Sequence, residues 1–436
     1  MPVALFRRSA SVLILYSLSA CDTPAPSGAS TVAAAGEGSA APAAKPPVPT
    51  ALLAEMPEGG PFPTLFLAQA QFIKDAAGKS KPGPALMTLW QQRPEGWKAF
   101  KVEDGASNVF HKVLPFRDGL LTIAGVEAHL KFWKRDGKSW SSESLWNPKW
   151  EGKFNRVRDI EVGDVNGDGA DDLVMATHDY GVIGVGTYKD GKLEVVELDK
   201  AADTFVHEIE IGDVDGDGKN EFFATPSARN NASGASQPGQ VVMYKYDGTT
   251  YVRTLVDDHA GSHAKEILVH DMDGDKKSEF YAVIEAETEV VDGKAKVIRP
   301  VEIRQYLPKK GGGFEAKALI TIDDKQCRFL VSGDFNGDGK KDLVAAGMKT
   351  GLWFLDGHGD GKWTSQNIEV NSSGFEHTTY PADLDGNGTP ELYVASDEQR
   401  ELRQYVYDPA TKSFTRTVIG PIPDASFTWN MTAANF

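Results

Sequence analysis

Five short segments place acids and amides at alternate positions around glycine: Asp164, Asn166 and Asp168; Asp213, Asp215 and Asp217; Asp271, Asp273 and Asp275; Asp334, Asn336 and Asp338; Asp383, Asp385 and Asn387. Side-chain oxygens at positions one, three and five of a tight loop, with a backbone carbonyl from position seven, are the donor set that a hard divalent cation such as Ca²⁺ takes. Aspartate–glycine turns are common in β proteins. Five copies with oxygens at the same offsets are not explained by turn chemistry alone. An EF-hand would continue to a glutamate at position twelve, whereas that position after Asp164 is Met175, so these loops join strands rather than helices. The third loop carries Lys276 where the others carry Gly169, Gly218, Gly339 and Gly388. A sharp turn without glycine, and a positive charge beside the ion, make that site the expected weakest of up to five.

The elements that must hold these loops repeat with them. Loop starts lie 49, 58, 63 and 49 residues apart, the size of one propeller blade. Each loop is preceded by an alternating apolar stretch, such as His207–Gly212, and followed by a short apolar strand, such as Glu221–Thr225. A two-strand hairpin comes next, and seven such hairpins run roughly over 86–103, 129–146, 182–198, 241–257, 301–322, 352–370 and 402–418. Seven hairpins against five loops imply two units at the start that lack the acidic turn. The first unit has a second strand at 63–70 with no first strand before it, and the chain end, Ser426–Phe436, supplies one, with Asn435 where other units have their first aspartate. The expected fold is all-β: a seven-bladed β-propeller of four-stranded blades over 61–436, closed by pairing of the C-terminal strand with the first blade, which leaves no open edge between first and last blades.

With these motifs in place, the chain resembles the FG-GAP/VCBS repeat family, whose relatives include the propellers of integrin α subunits and bacterial surface proteins; the Phe-Gly and Gly-Ala-Pro signatures of the integrin version are not evident. The resemblance implies a further carboxylate ligand at position nine of each loop, Asp172, Glu221, Glu279, Asp342 and Glu391. It also implies that the acidic loops join first and second strands, so that recognition lies on the opposite face, where the long connections 226–239 and 285–298 belong. Loops that saturate an ion leave no open coordination position, so the metals are expected to be structural.

Six residues before each first aspartate stand Arg158, His207, Lys265, Arg328 and His377. Trp429 is the equivalent before Asn435, and His111 lies near the matching strand start of the second unit. On innermost strands these residues would ring the central channel at its mouth and suit an anionic or carboxylate-bearing ligand. The alternative is that they pair with carboxylates such as Asp159, Glu208 or Glu266 and hold the ring together. Cys327, beside Arg328, reads as a small buried hydrophobe.

Charge and ends bound the function. A net charge of -16 argues against nucleic acid, whose affinity rests on cationic phosphate contacts. Arg7 and Arg8, an apolar run from Val12 to Leu18 and the sequence Leu18-Ser19-Ala20-Cys21 read as a lipoprotein signal over 1–20, with Cys21 the lipidated residue and a Pro/Ala/Gly/Ser-rich tether over 21–60. These features place the chain on the cell envelope, anchored to a membrane through Cys21. No nucleophile elbow, zinc His-Glu-x-x-His, phosphate loop or dinucleotide fingerprint is present. The reading favoured is a non-catalytic binding module for a protein or glycan. The alternative is a propeller-type polysaccharide lyase acting on an anionic glycan, with His207, His377, Tyr380, Arg158 and Arg328 as its candidate residues.

Overall fold

The computed structural model describes residues 60–125, 129–150, 156–229, 235, 237–358 and 361–436; the signal, Cys21 and nearly all of the tether lie outside the described residues. Seven antiparallel sheets surround an axis. Their innermost strands are, for blades one to seven, Ser426–Asn435, Phe110–Phe116, Arg156–Gly163, Thr204–Gly212, Ala264–His270, Cys327–Gly333 and Thr379–Ala382. Three strands follow outward in each blade; in blade four they are Glu221–Ala228, Gly239–Tyr246 and Tyr251–His259.

Hydrophobic pattern explains this layering. Second strands lie between neighbouring blades and are covered on both faces, so Asp172–His178, Asp342–Gly347 and Glu391–Ser396 are buried throughout. Outermost strands such as Tyr251–His259 are largely exposed. Core clusters bridge adjacent blades: Val174 and Ala176 of blade three pack with Val206, Ile209 and Phe222 of blade four. The outer hairpins close on tight turns such as Asp190-Gly191, with φ of 50° and 77°, the left-handed pair that matches strand twist.

Closure follows the expected seam. Pro63 pairs with Asn435, Leu67 with Met431 and Gln71 with Ser426. Leu65, Leu67 and Met431 then pack against Tyr393, Ala395 and Leu402 of blade seven, so the last blade grips the first through one apolar cluster. Blade five departs from the simple repeat, because its connection 285–298 is itself structured: Glu287–Val291 and Lys294–Arg299 pair only with each other as a separate ribbon.

Candidate functional site

All five acidic loops take one shape. The first aspartate accepts from the amide at position six through Oδ2, at 2.8 Å from Gly169, Gly218, Gly339 and Gly388 and 3.0 Å from Lys276. The residue at position five accepts from the amide two residues on, in each case at 2.7–3.0 Å. Lys276 reaches φ 73°, beside 83–90° at its glycine counterparts, so the third loop forms the turn at the backbone cost that a side chain carries there.

The loops differ in what converges. Where position three is aspartate, the carboxylates at positions one, three and nine lie within 4.8 Å of one another: Asp213, Asp215, Glu221; Asp271, Asp273, Glu279; Asp383, Asp385, Glu391. The Lys276 loop is thus among the three that gather carboxylates. Where position three is Asn166 or Asn336, no such three-carboxylate group forms among the described residues.

Several position-nine carboxylates are buried with an oxygen that has no protein partner. Asp342 is fully buried; Oδ1 accepts from Gly357 N at 3.0 Å while Oδ2 has no partner, and burial pushes its pKa up to about 7. Glu391 uses Oε2 for Leu384 N and the Tyr393 hydroxyl but leaves Oε1 without a hydrogen bond. Anionic oxygens buried in this way are costly unless a cation meets them, so the donor set fits a hard divalent ion. In blade four a cation is already at hand. The Lys245 ammonium reaches Asp217 at 2.7 Å, Glu221 at 2.8 Å and Asp215, three of the residues at ligand positions.

Near the opposite face the ring residues come together, by a mechanism that alternation does not anticipate. His111, Arg158, Lys265, Arg328 and Trp429 are each the extra residue of a β-bulge on their innermost strand, skipped between Phe110 and Lys112, Val157 and Asp159, Ala264 and Glu266, Cys327 and Phe329, and Thr428 and Asn430. His207 lies in the equivalent bulge between Val206 and Ile209. His377 precedes its strand with φ 58°. A bulge turns a side chain off the regular pleat. Here both the bulged residue and its successor line the axis, as with His111 and Lys112, Arg158 and Asp159, and Trp429 and Asn430.

The ring side chains Arg158, His207, Lys265, Arg328, His377 and His111 are all buried rather than exposed. Their acidic partners are not the neighbours on the same strands. Glu376, from the connection before blade seven, accepts from Arg328 Nη1 at 2.6 Å and meets Arg158 Nη2 at 3.6 Å, while Glu285, from the connection after blade five's second strand, meets Arg328 Nε at 3.3 Å. Burial pushes the Glu376 carboxyl up, but Arg328, Lys265 and Arg158 together hold it below the usual range. Arg328 also lies over the Phe375 ring at 4.1 Å. Asp159 is taken instead by Lys112 at 2.8 Å.

The histidines are held neutral. Burial and the adjacent Lys265 lower His207, whose Nε2 meets Ser227 Oγ at 2.9 Å and whose Nδ1 lies 3.3 Å from Lys265 Nζ. Lys265 itself is lowered by burial and by Arg158. His377 donates from Nδ1 to Gly347 O at 2.6 Å and meets Ser372 Oγ through Nε2, and burial brings it to about 4. Tyr380 is half-buried and meets Thr432 Oγ1 at 3.4 Å. Cys327 is fully buried and burial pushes its thiol up.

Sequence reasoning missed Glu376, Glu285, His178 and His263. His178 ends a second strand and lies stacked on Phe205 at 4.2 Å, and the rings of His178 and His263 flank His207 at 5.2 and 5.1 Å. Only His178 had a visible signal, a polar residue closing a wholly apolar strand.

A family model for FG-GAP-like repeats matches residues 334–394, and one for the C-terminal domain of rhamnogalacturonan lyase family 11 matches 196–336. No curated protein matches the chain. Among solved structures it is similar to a Bacteroides fragilis protein described as a 6-phosphogluconolactonase (13% identity, 86% of this chain and 98% of that one, TM-score 0.53). It is also similar to a cobalt-substituted apocarotenoid oxygenase of Synechocystis (11%, 88% and 94%, TM-score 0.53). At such identities the likeness shows the propeller fold alone.

Proposed function

Because the chain is an FG-GAP-repeat β-propeller, we propose that it is a calcium-stabilised, non-catalytic binding module of the cell envelope, anchored through lipidated Cys21, that takes a protein partner on the face opposite the acidic loops. The observation that carries this reading is the blade-five ribbon. It pairs only with itself among the described residues and exposes Val290, Val291 and Ile298 at 42%, 44% and 52% near an Asp292-Gly293 tip. Free strand edges beside exposed apolar side chains suit an extended peptide segment better than a sugar polymer. Calcium is supported by the unpartnered oxygens of Asp342 and Glu391 and by the three convergent carboxylate groups. When bound, the ion supplies charge neutralisation and cross-linking of each loop, with Asp, Glu and Asn oxygens as its ligands. Replacing the exposed Val290, Val291 and Ile298 by serine should abolish in-cell cross-links to the partner while leaving the melting temperature unchanged; cross-links that persist would contradict the assignment.

The match over 196–336 favours a second reading, a lyase acting on an anionic glycan. Against it, His207, His377, Arg158 and Arg328 are buried and already bonded. Incubation with acidic polysaccharides, rhamnogalacturonan included, should give no unsaturated-sugar absorbance. Absorbance that disappears in His207→Ala would replace the binding reading by the lyase.

A further inference from the structure

The axis holds hydrogen-bond donors that nothing in the protein accepts. Arg158 Nε, Trp429 Nε1, both ring nitrogens of His111 and Asn430 Oδ1 are buried without a partner, and all four residues line one axial void. A guanidinium Nε and an indole Nε1 can only donate. Neutral His111 adds one N–H, and the Asn430 amide turned about χ2 presents Nδ2 in place of Oδ1, so the complement of these donors is a group that accepts. The void measures about 20 Å³, room for one water-sized sphere and too small for a carboxylate on a sugar. We propose that this void binds a single monatomic anion of the chloride class, held by Trp429 Nε1, Arg158 Nε and one N–H of His111.

Charge supports an anion over a cation. Besides burial, the groups that lower the pKa of His111 are Arg158, Arg156 and Lys265, all cationic. Of the acids on the same void, Asp159 is already joined to Lys112, and burial raises both Glu208 and Glu266 toward their neutral forms. Place in the fold supports it too. Trp429, His111 and Arg158 belong to blades one, two and three, so one ion would tie the closing strand to the two blades that follow. Blades one and two have no acidic loop. The anion would therefore cross-link the part of the ring that calcium does not reach.

The test uses the full chain with calcium held constant, melted in sodium chloride, bromide and methanesulfonate at equal ionic strength, together with diffraction from crystals grown in bromide. Expected are a saturable rise in melting temperature with chloride and bromide but not with methanesulfonate, and a bromide anomalous peak in contact with Trp429 Nε1 and Arg158 Nε. Trp429→Phe, which removes one donor and keeps an aromatic ring, should raise the half-saturating chloride concentration about tenfold or more. Identical melts in the three salts, or a water with no anomalous signal on the axis, would overturn the proposal. Should Trp429→Phe fail to fold, the wild-type bromide map decides alone.

Discussion

Arg328 Nη1 donates to Glu376 Oε1 at 2.6 Å, and Arg158 Nη2 lies 3.6 Å from the other oxygen of the same carboxylate. One buried acid from an inter-blade connection thereby links blades three and six. Removing one member of a buried ionic cluster leaves the rest unpaired, at a cost of about 3–5 kcal/mol. Glu376→Ala should show that loss at pH 7 in denaturant melts. The folded pKa of Glu376 is depressed, so its contribution is present above the ordinary carboxylate range and is lost only as pH falls through the lower folded value. Wild type and variant should therefore converge in strong acid.

His377 titrates at about 4 when folded against an ordinary value near 6.5. The unfolded chain takes up that proton first, so stability is complete above about pH 6.5 and declines as pH falls toward 4, by about 3 kcal/mol from this residue. His377→Asn, which tolerates the left-handed backbone of φ 58°, should flatten the pH dependence between 6.5 and 4 relative to wild type. A slope unchanged in the variant would place the effect elsewhere.

The closing strand is held by side chains as well as by pairing. Met431 is buried against Leu65, Leu67 and Tyr393, so Met431→Ala should cost about 2–5 kcal/mol in chemical denaturation. Deleting Ser426–Phe436 bares the edge of Pro63–Lys74 and should yield oligomers on size exclusion in place of a monodisperse species.

Asp342 gives a prediction whose sign depends on the metal. With calcium removed, Asp342→Asn relieves a buried carboxylate whose Oδ2 has no partner and should be neutral or stabilising. With calcium present the same change removes a charged ligand and should destabilise. Paired melts in EGTA and in calcium read both signs.

The repeat was legible because its chemistry recurs at fixed offsets. Oxygens at alternate positions marked the turns, period-two hairpins marked the outer strands, and the lone strand Ser426–Asn435 matched the one missing before Pro63. Counting back from the first aspartate also found Arg158, His207, Lys265 and Arg328, since the offset from loop to bulge is constant. It could not find that Asp159 lines the axis beside Arg158, because regular alternation puts neighbours on opposite faces and only the bulge brings them together. Nor could it find Glu376 and Glu285 as the ion partners. Both lie in connections that do not repeat, and their approach to Arg328 is set by how separate blades are arranged around the axis.

The central claim, a seven-bladed ring whose acidic turns are cross-linked by calcium, is tested most directly by the melting temperature of the purified chain in EGTA, then with calcium restored at constant ionic strength. A ligand that binds only the folded state stabilises it in proportion to the logarithm of its concentration over its dissociation constant. The account predicts a marked fall in EGTA, recovery with Ca²⁺ and little recovery with Mg²⁺, whose smaller octahedral shell these loops do not match. A melting temperature that does not change across the three conditions would contradict it.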